Sequence, residues 1–167
     1  EWMYPDQKEP VMQYGYFVND IEAAPHLPDY QLILPGLGDV TMDSVNQYLS
    51  CGSYRLASFA FEGELYPDVA VRFRGNTGCF LQKRLFKVRF NHGGYFQGLR
   101  KININSMWTD KALFREHLAW DFLRRIGSAY CRTGFVRLFI NGEYYGFFMT
   151  LEHPDSRFLD RNGLDRD

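Results

Sequence analysis

The sequence predicts an α+β domain: a twisted, mostly antiparallel sheet with one main helix packed across it. Three observations carry that expectation. Runs of alternating apolar and polar residues recur along the chain, as half-buried strands require. Two pairs of runs flank tight turns, Glu62-Gly63-Glu64 and Asn141-Gly142, and Asn-Gly is a strong short-range hairpin signal. Residues 111 to 126 contain neither proline nor glycine and carry apolar residues at helical spacing.

The elements follow in order. Residues 1–28 are rich in proline and acid, with Pro5, Pro10, Pro25 and Pro28, and read as a linker or lead-in segment. Residues 29–167 read as the folded lobe. Tyr30 to Leu34 forms a strand ended by Pro35-Gly36, and Thr41 to Leu49 a short helix with Thr41 as N-cap. Tyr54 to Phe61 and Tyr66 to Arg74 pair as a hairpin, followed by the glycine turn Arg74-Gly75-Asn76-Thr77-Gly78. In Leu85 to Phe90, period-2 alternation places Phe86, Val88 and Phe90 on one face and Lys87 and Arg89 on the other. Lys101 to Asn105 is a short strand in which Asn103 and Asn105 share a face, with a structural role expected for both.

Asp110 is the expected N-cap of the main helix and Gly127 its stop. At 100° per residue, Leu113, Leu118, Ala119, Trp120, Phe122, Leu123 and Ile126 form a broad apolar arc that also contains Arg115 and Glu116. If that arc is buried, both charges need partners, because an unpaired buried charge is costly. Arg132 to Ile140 and Glu143 to Leu151 form a second hairpin, and Pro154 to Asn162 a last helix stopped by Gly163.

Composition excludes several classes. With 167 residues, 46% hydrophobic, the chain can bury one core and is most simply one domain. A formal net charge of -1 gives no global basic field, so nucleic acid is not an expected partner. No apolar run reaches the roughly 18 residues of a membrane span, and Glu1 to Pro5 lacks a signal-peptide layout. Beginning without an initiator methionine and ending on Leu164-Asp165-Arg166-Asp167, the chain reads as an excerpt from a longer protein. Cys51, Cys79 and Cys131 allow at most one internal bridge and are most simply packed thiols. The histidines have no metal-ligand spacing, and no GxSxG nucleophile elbow occurs.

A glycine turn, a strand lysine and a helix glutamate in that order suggest a phosphate cradle, since glycine lets backbone N–H groups approach an anion. The segments Asp68 to Thr77, Phe86 to Phe90, Gly98 to Asn105, Phe114 to Leu118 and Ile140 to Gly146 together resemble the CotH (spore coat protein H) kinases, a family of atypical protein kinases. The resemblance implies the nucleotide-binding N-lobe of such a kinase, truncated before its catalytic lobe, acting on protein Ser/Thr hydroxyls with ATP and Mg2+. It implies that Arg74, Gly75, Asn76, Thr77 and Gly78 cover phosphates, that Lys87 neutralises them, that Glu116 orients Lys87, and that Glu152 borders the adenine. Gly78 stands where the family has a second hydroxyl residue. The family's base and metal-ligating aspartates are expected beyond Asp167, and Asp155, Asp160, Asp165 and Asp167 are assigned no such role. A spore-coat, extracellular or cell-surface setting is implied. The alternative is a noncatalytic interaction module of the same fold.

Overall fold

The computed structural model describes residues 27–91 and 95–166. Most of the lead-in segment, residues 1–26, lies outside the described residues. The chain runs through β1 (Asp29–Ile33), α1 (Met42–Tyr48), β2 (Arg55–Phe61), β3 (Glu64–Arg74), a 3-10 turn (Thr77–Phe80), β4 (Leu85–Arg89), β5 (Lys101–Asn105), α2 (Arg115–Arg125), β6 (Thr133–Ile140), β7 (Glu143–Glu152) and α3 (Ser156–Arg161).

The seven strands close into a barrel in the order β1-β2-β3-β4-β5-β7-β6. This corrects the expectation of an α+β kinase-like lobe organised by a packed helix. Closure comes from β1, which pairs antiparallel with β2 on one side and parallel with β6 on the other, Tyr30 opposite Leu138 and Leu32 opposite Ile140. A closed sheet has no free edge and encloses its own core. The inward faces of the strands supply that core, with Leu32, Phe59, Phe73, Phe86, Ile104, Leu138, Ile140 and Phe148 fully buried. Phe96, from the loop before β5, joins Tyr30, Phe59 and Phe61 in edge-on aromatic contacts at one end.

The helices sit outside this barrel. Thr41 caps α1 through a reciprocal capping box with Ser44. Asp110 accepts N–H bonds from Ala112 and Arg115 but is not the N-cap expected of it: Leu113 takes a left-handed conformation with φ 63°, and α2 starts only at Arg115 with Phe114 in the cap position. α2 buries none of its residues. It meets the barrel where the His117 ring lies 4.9 Å from that of Phe135 and bonds the Thr133 hydroxyl. Its apolar arc faces away, with Leu118 53%, Phe122 60% and Ile126 59% exposed. The strands fill most of the barrel interior, with Val45 of α1 and Leu49 just after it packed into the same core, and this leaves no uncovered core surface for α2.

Cys51 and Cys79 form a disulfide, while Cys131 is buried and free, its thiol pushed up to about 11 mainly by burial. The bridge replaces the expectation of three packed thiols. It ties the 3-10 turn after β3 to the loop after α1.

Candidate functional site

Alternation in β3, β4 and β5 turns Val71, Phe73, Phe86, Val88, Ile102 and Ile104 into the core and leaves the residues between them on the outer wall. Strand register then sets those outer residues side by side. Arg72 lies opposite Lys87, and Lys87 opposite Asn103. Asn103 is in turn opposite Leu151 of β7. Arg74 and Asn105 continue the same face two residues along, and Lys101 flanks Asn103 on the other side.

This face is strongly cationic. The Lys87 ammonium is pushed down to about 8, first by burial and then by Arg72, Lys101 and Arg74, with Asp155 opposing. His153, just past β7, is pushed down to about 4 by burial and by Lys87, Lys101 and Arg74, so it is neutral at pH 7. The Arg74 guanidinium is lowered by burial and by Arg72, with Glu116 opposing. No ion pair involves Lys87 among the described residues.

Glu116 is not the partner of Lys87 that the sequence suggested. Its Oε2 accepts a 2.9 Å bond from Asn105 Nδ2, and Asn105 Oδ1 accepts a 2.7 Å bond from Arg74. The carboxylate is exposed rather than buried, since the helix face that carries it is uncovered. Glu116 therefore meets the cationic wall through Asn105, at Arg74 rather than at Lys87. Arg115 pairs with Asp110 at 3.3 Å on the surface.

The glycine turn emerges at the end of β3 next to Arg74. Gly75 needs its left-handed φ of 92°, and Gly75, Asn76 and Thr77 are exposed. Gly78 is buried, and a Cβ there would come within 2.9 Å of Leu85 Cδ1, so its smallness serves packing. The Cys51–Cys79 disulfide anchors the far side of the turn.

Glu152 lies apart from this cluster, at the end of the barrel where β5 and β6 begin. It is buried and bound: Arg161 donates at 2.6 Å, the Arg132 backbone N–H at 3.0 Å, and the Arg132 guanidinium stands 3.6 Å away. It borders a 230 Å³ cleft with Tyr30, Phe96, Thr150 and Leu151, and a more open one of 390 Å³ with Arg157 and Arg161.

The structure thus brings together Arg74 and the glycine turn, Lys87 and, through Asn105, Glu116, but not Glu152. Sequence reasoning missed Arg72, Lys101 and His153. The alternation of β3 could have placed Arg72 beside Arg74, but the register that sets both near Lys87 has no local signal. No cluster of three or more metal-ligating side chains occurs among the described residues, and no helix among them is long and apolar enough to cross a membrane.

Residues 71–167, which contain this whole cluster, match the model of a family described as CotH kinase protein. The chain is also 27% identical over 97 residues to inner spore coat protein H of Bacillus subtilis (strain 168), covering 58% of this chain and 27% of that protein. The match therefore spans about a quarter of the relative's length.

Proposed function

The chain belongs to the CotH kinase protein family, and from that premise we propose that its cationic outer wall holds the phosphates of Mg-ATP in a protein kinase. The observation that carries this reading is Lys87, a half-buried ammonium with Arg72, Arg74 and Lys101 around it and its pKa pushed down to about 8. Packing like charges against one another is unfavourable, and a polyphosphate offsets that cost as no uncharged ligand does. In this reading Lys87, Arg74 and Arg72 neutralise phosphate oxygens, and the exposed backbone of Gly75, Asn76 and Thr77 covers them. Gly78 keeps the turn packed on Leu85. Glu116 acts through Asn105 to orient Arg74 rather than Lys87. Glu152 takes no part in this site, its buried carboxylate being committed to Arg161 and the Arg132 N–H.

The γ-phosphoryl group passes to a protein Ser/Thr hydroxyl, ADP leaves, and a base takes the hydroxyl proton. We place that base and the Mg2+ ligands outside residues 1–167. The relative is named as an inner spore coat protein, and we propose a spore-coat setting for this protein as well. Transfer of labelled phosphate to protein hydroxyls by the full-length protein, but not by residues 1–167 alone, is the expected result. Transfer by the 167-residue chain would show that the catalytic groups lie within it.

A noncatalytic interaction module is the second reading. It is favoured by the uncovered apolar stripe of Leu118, Phe122 and Ile126 and by the missing pair between Lys87 and Glu116. Such a module has no saturable Mg-ATP site.

A further inference from the structure

We infer that Asn103 is a ligand-binding residue of the cationic wall, its amide nitrogen donating to an anion oxygen and its amide oxygen accepting from the Lys87 ammonium held by the same anion. The inference rests on the phosphate reading of that wall. Asn103 is fully buried, yet neither Nδ2 nor Oδ1 has a hydrogen-bond partner among the described residues. Its neighbour on the same face, Asn105, has both amide atoms engaged, one by Arg74 and one by Glu116. The contrast is between two asparagines of one strand, both buried and two residues apart. One amide is spent on structure and the other is left free.

Its place in the sheet says what the free amide serves. Asn103 sits directly opposite Lys87 in the β4–β5 register, with Lys101 on one side along the strand and Asn105, bonded to Arg74, on the other. Every charged side chain around it on these strands is a cation. An amide can meet an anion with its N–H and a lysine with its carbonyl at once, which a leucine or a second lysine cannot do. Lys87, half-exposed on the adjacent strand, is the cation set directly across from this amide. A buried amide without a partner costs stability, so a purely structural residue here would be better served by an apolar side chain.

The test uses Asn103→Leu and Asn103→Asp in the full-length protein, with Lys87→Ala as control and Mg-ATP and inorganic tripolyphosphate as probes. Leu keeps the size and removes both polar groups; Asp keeps the shape and an acceptor but loses the donor. The melting temperature of Asn103→Leu without ligand is expected to equal or exceed that of the parent, while both Asn103 variants bind both probes at least tenfold more weakly. If Asn103→Leu fails to fold, Asn103→Asp alone decides, and parent-like binding by it overturns the inference. Unchanged binding by the Asn103 variants beside a large loss in Lys87→Ala would overturn the role of Asn103 and leave the phosphate site standing. Absence of binding by the parent protein would overturn both.

Discussion

Arg74 and Glu116 are joined through one side chain: the Asn105 amide accepts from the guanidinium at 2.7 Å and donates to the carboxylate at 2.9 Å. The bridge couples the end of β3, where the glycine turn starts, to the first turn of α2. It is the link by which the helix steadies the Arg74 guanidinium.

Replacing Asn105 by leucine removes both bonds while keeping the buried volume. Hydrogen bonds to charged groups contribute about 1.5–3 kcal/mol each, and Glu116, being exposed, can turn to water. A loss of about 2 kcal/mol in denaturant unfolding is expected, together with weaker Mg-ATP binding. Parent-like values for both would make the bridge incidental.

The two depressed bases set the pH dependence. Lys87 has a folded pKa of about 8, below the roughly 10.4 of an unfolded lysine, so the unfolded chain binds more protons between those values. Its contribution therefore makes stability rise with pH across that window. Anion affinity moves the other way and falls as pH rises through about 8, because the ligand needs the charged ammonium. His153, at about 4 when folded against roughly 6.5 unfolded, costs stability as pH falls from 6.5 to 4. Unfolding curves of the parent and Lys87→Met, compared from pH 7 to 10.5, and of His153→Gln, compared from pH 7 to 4, should differ in slope in those windows. Parallel curves would contradict the burial of these groups.

Glu152 is a structural anchor of the barrel end. Removing one member of a buried ion pair costs about 3 kcal/mol or more, and here it would free Arg161 and the Arg132 N–H together. Glu152→Ala is expected to lower stability by about 3 kcal/mol. A change below about 1 kcal/mol would show that Arg161 finds other partners at no cost.

The local elements were legible because their signals are local. Thr41, the Asn141-Gly142 turn and the alternation of Leu85 to Phe90 each act within a few residues, and each element lies within a few residues of its expected place. Barrel closure was not legible, since β1 meets β6 across more than a hundred residues, Asp29 opposite Arg137. The same gap misled the reading of α2: its apolar arc predicts a buried face only if some surface needs covering, and the closed barrel, with Val45 of α1 already in its core, leaves none for α2. Burial of Glu116 and its pairing with Lys87 went wrong with it. On the candidate cationic wall, Lys87 and Arg74 were named from the order of motifs, whereas the placing of Arg72 and Lys101 beside them required the register and that of His153 the fold.

The exposed stripe of α2 gives a direct check of that correction. Phe122→Asn in residues 1–167 should change stability by no more than about 0.5 kcal/mol, as surface substitutions do. A packed phenylalanine would cost about 3–5 kcal/mol on truncation. A loss of that size would restore the packed-helix arrangement.

The most direct measurement is calorimetric titration of Mg-ATP into the full-length protein and its Lys87→Ala variant at pH 7, with melting temperatures taken on the same samples. Saturable binding by the parent, weakened at least tenfold in the variant while its melting temperature changes little, is the predicted result. Equal binding by the two proteins, or none by the parent, would contradict a phosphate site on the cationic wall.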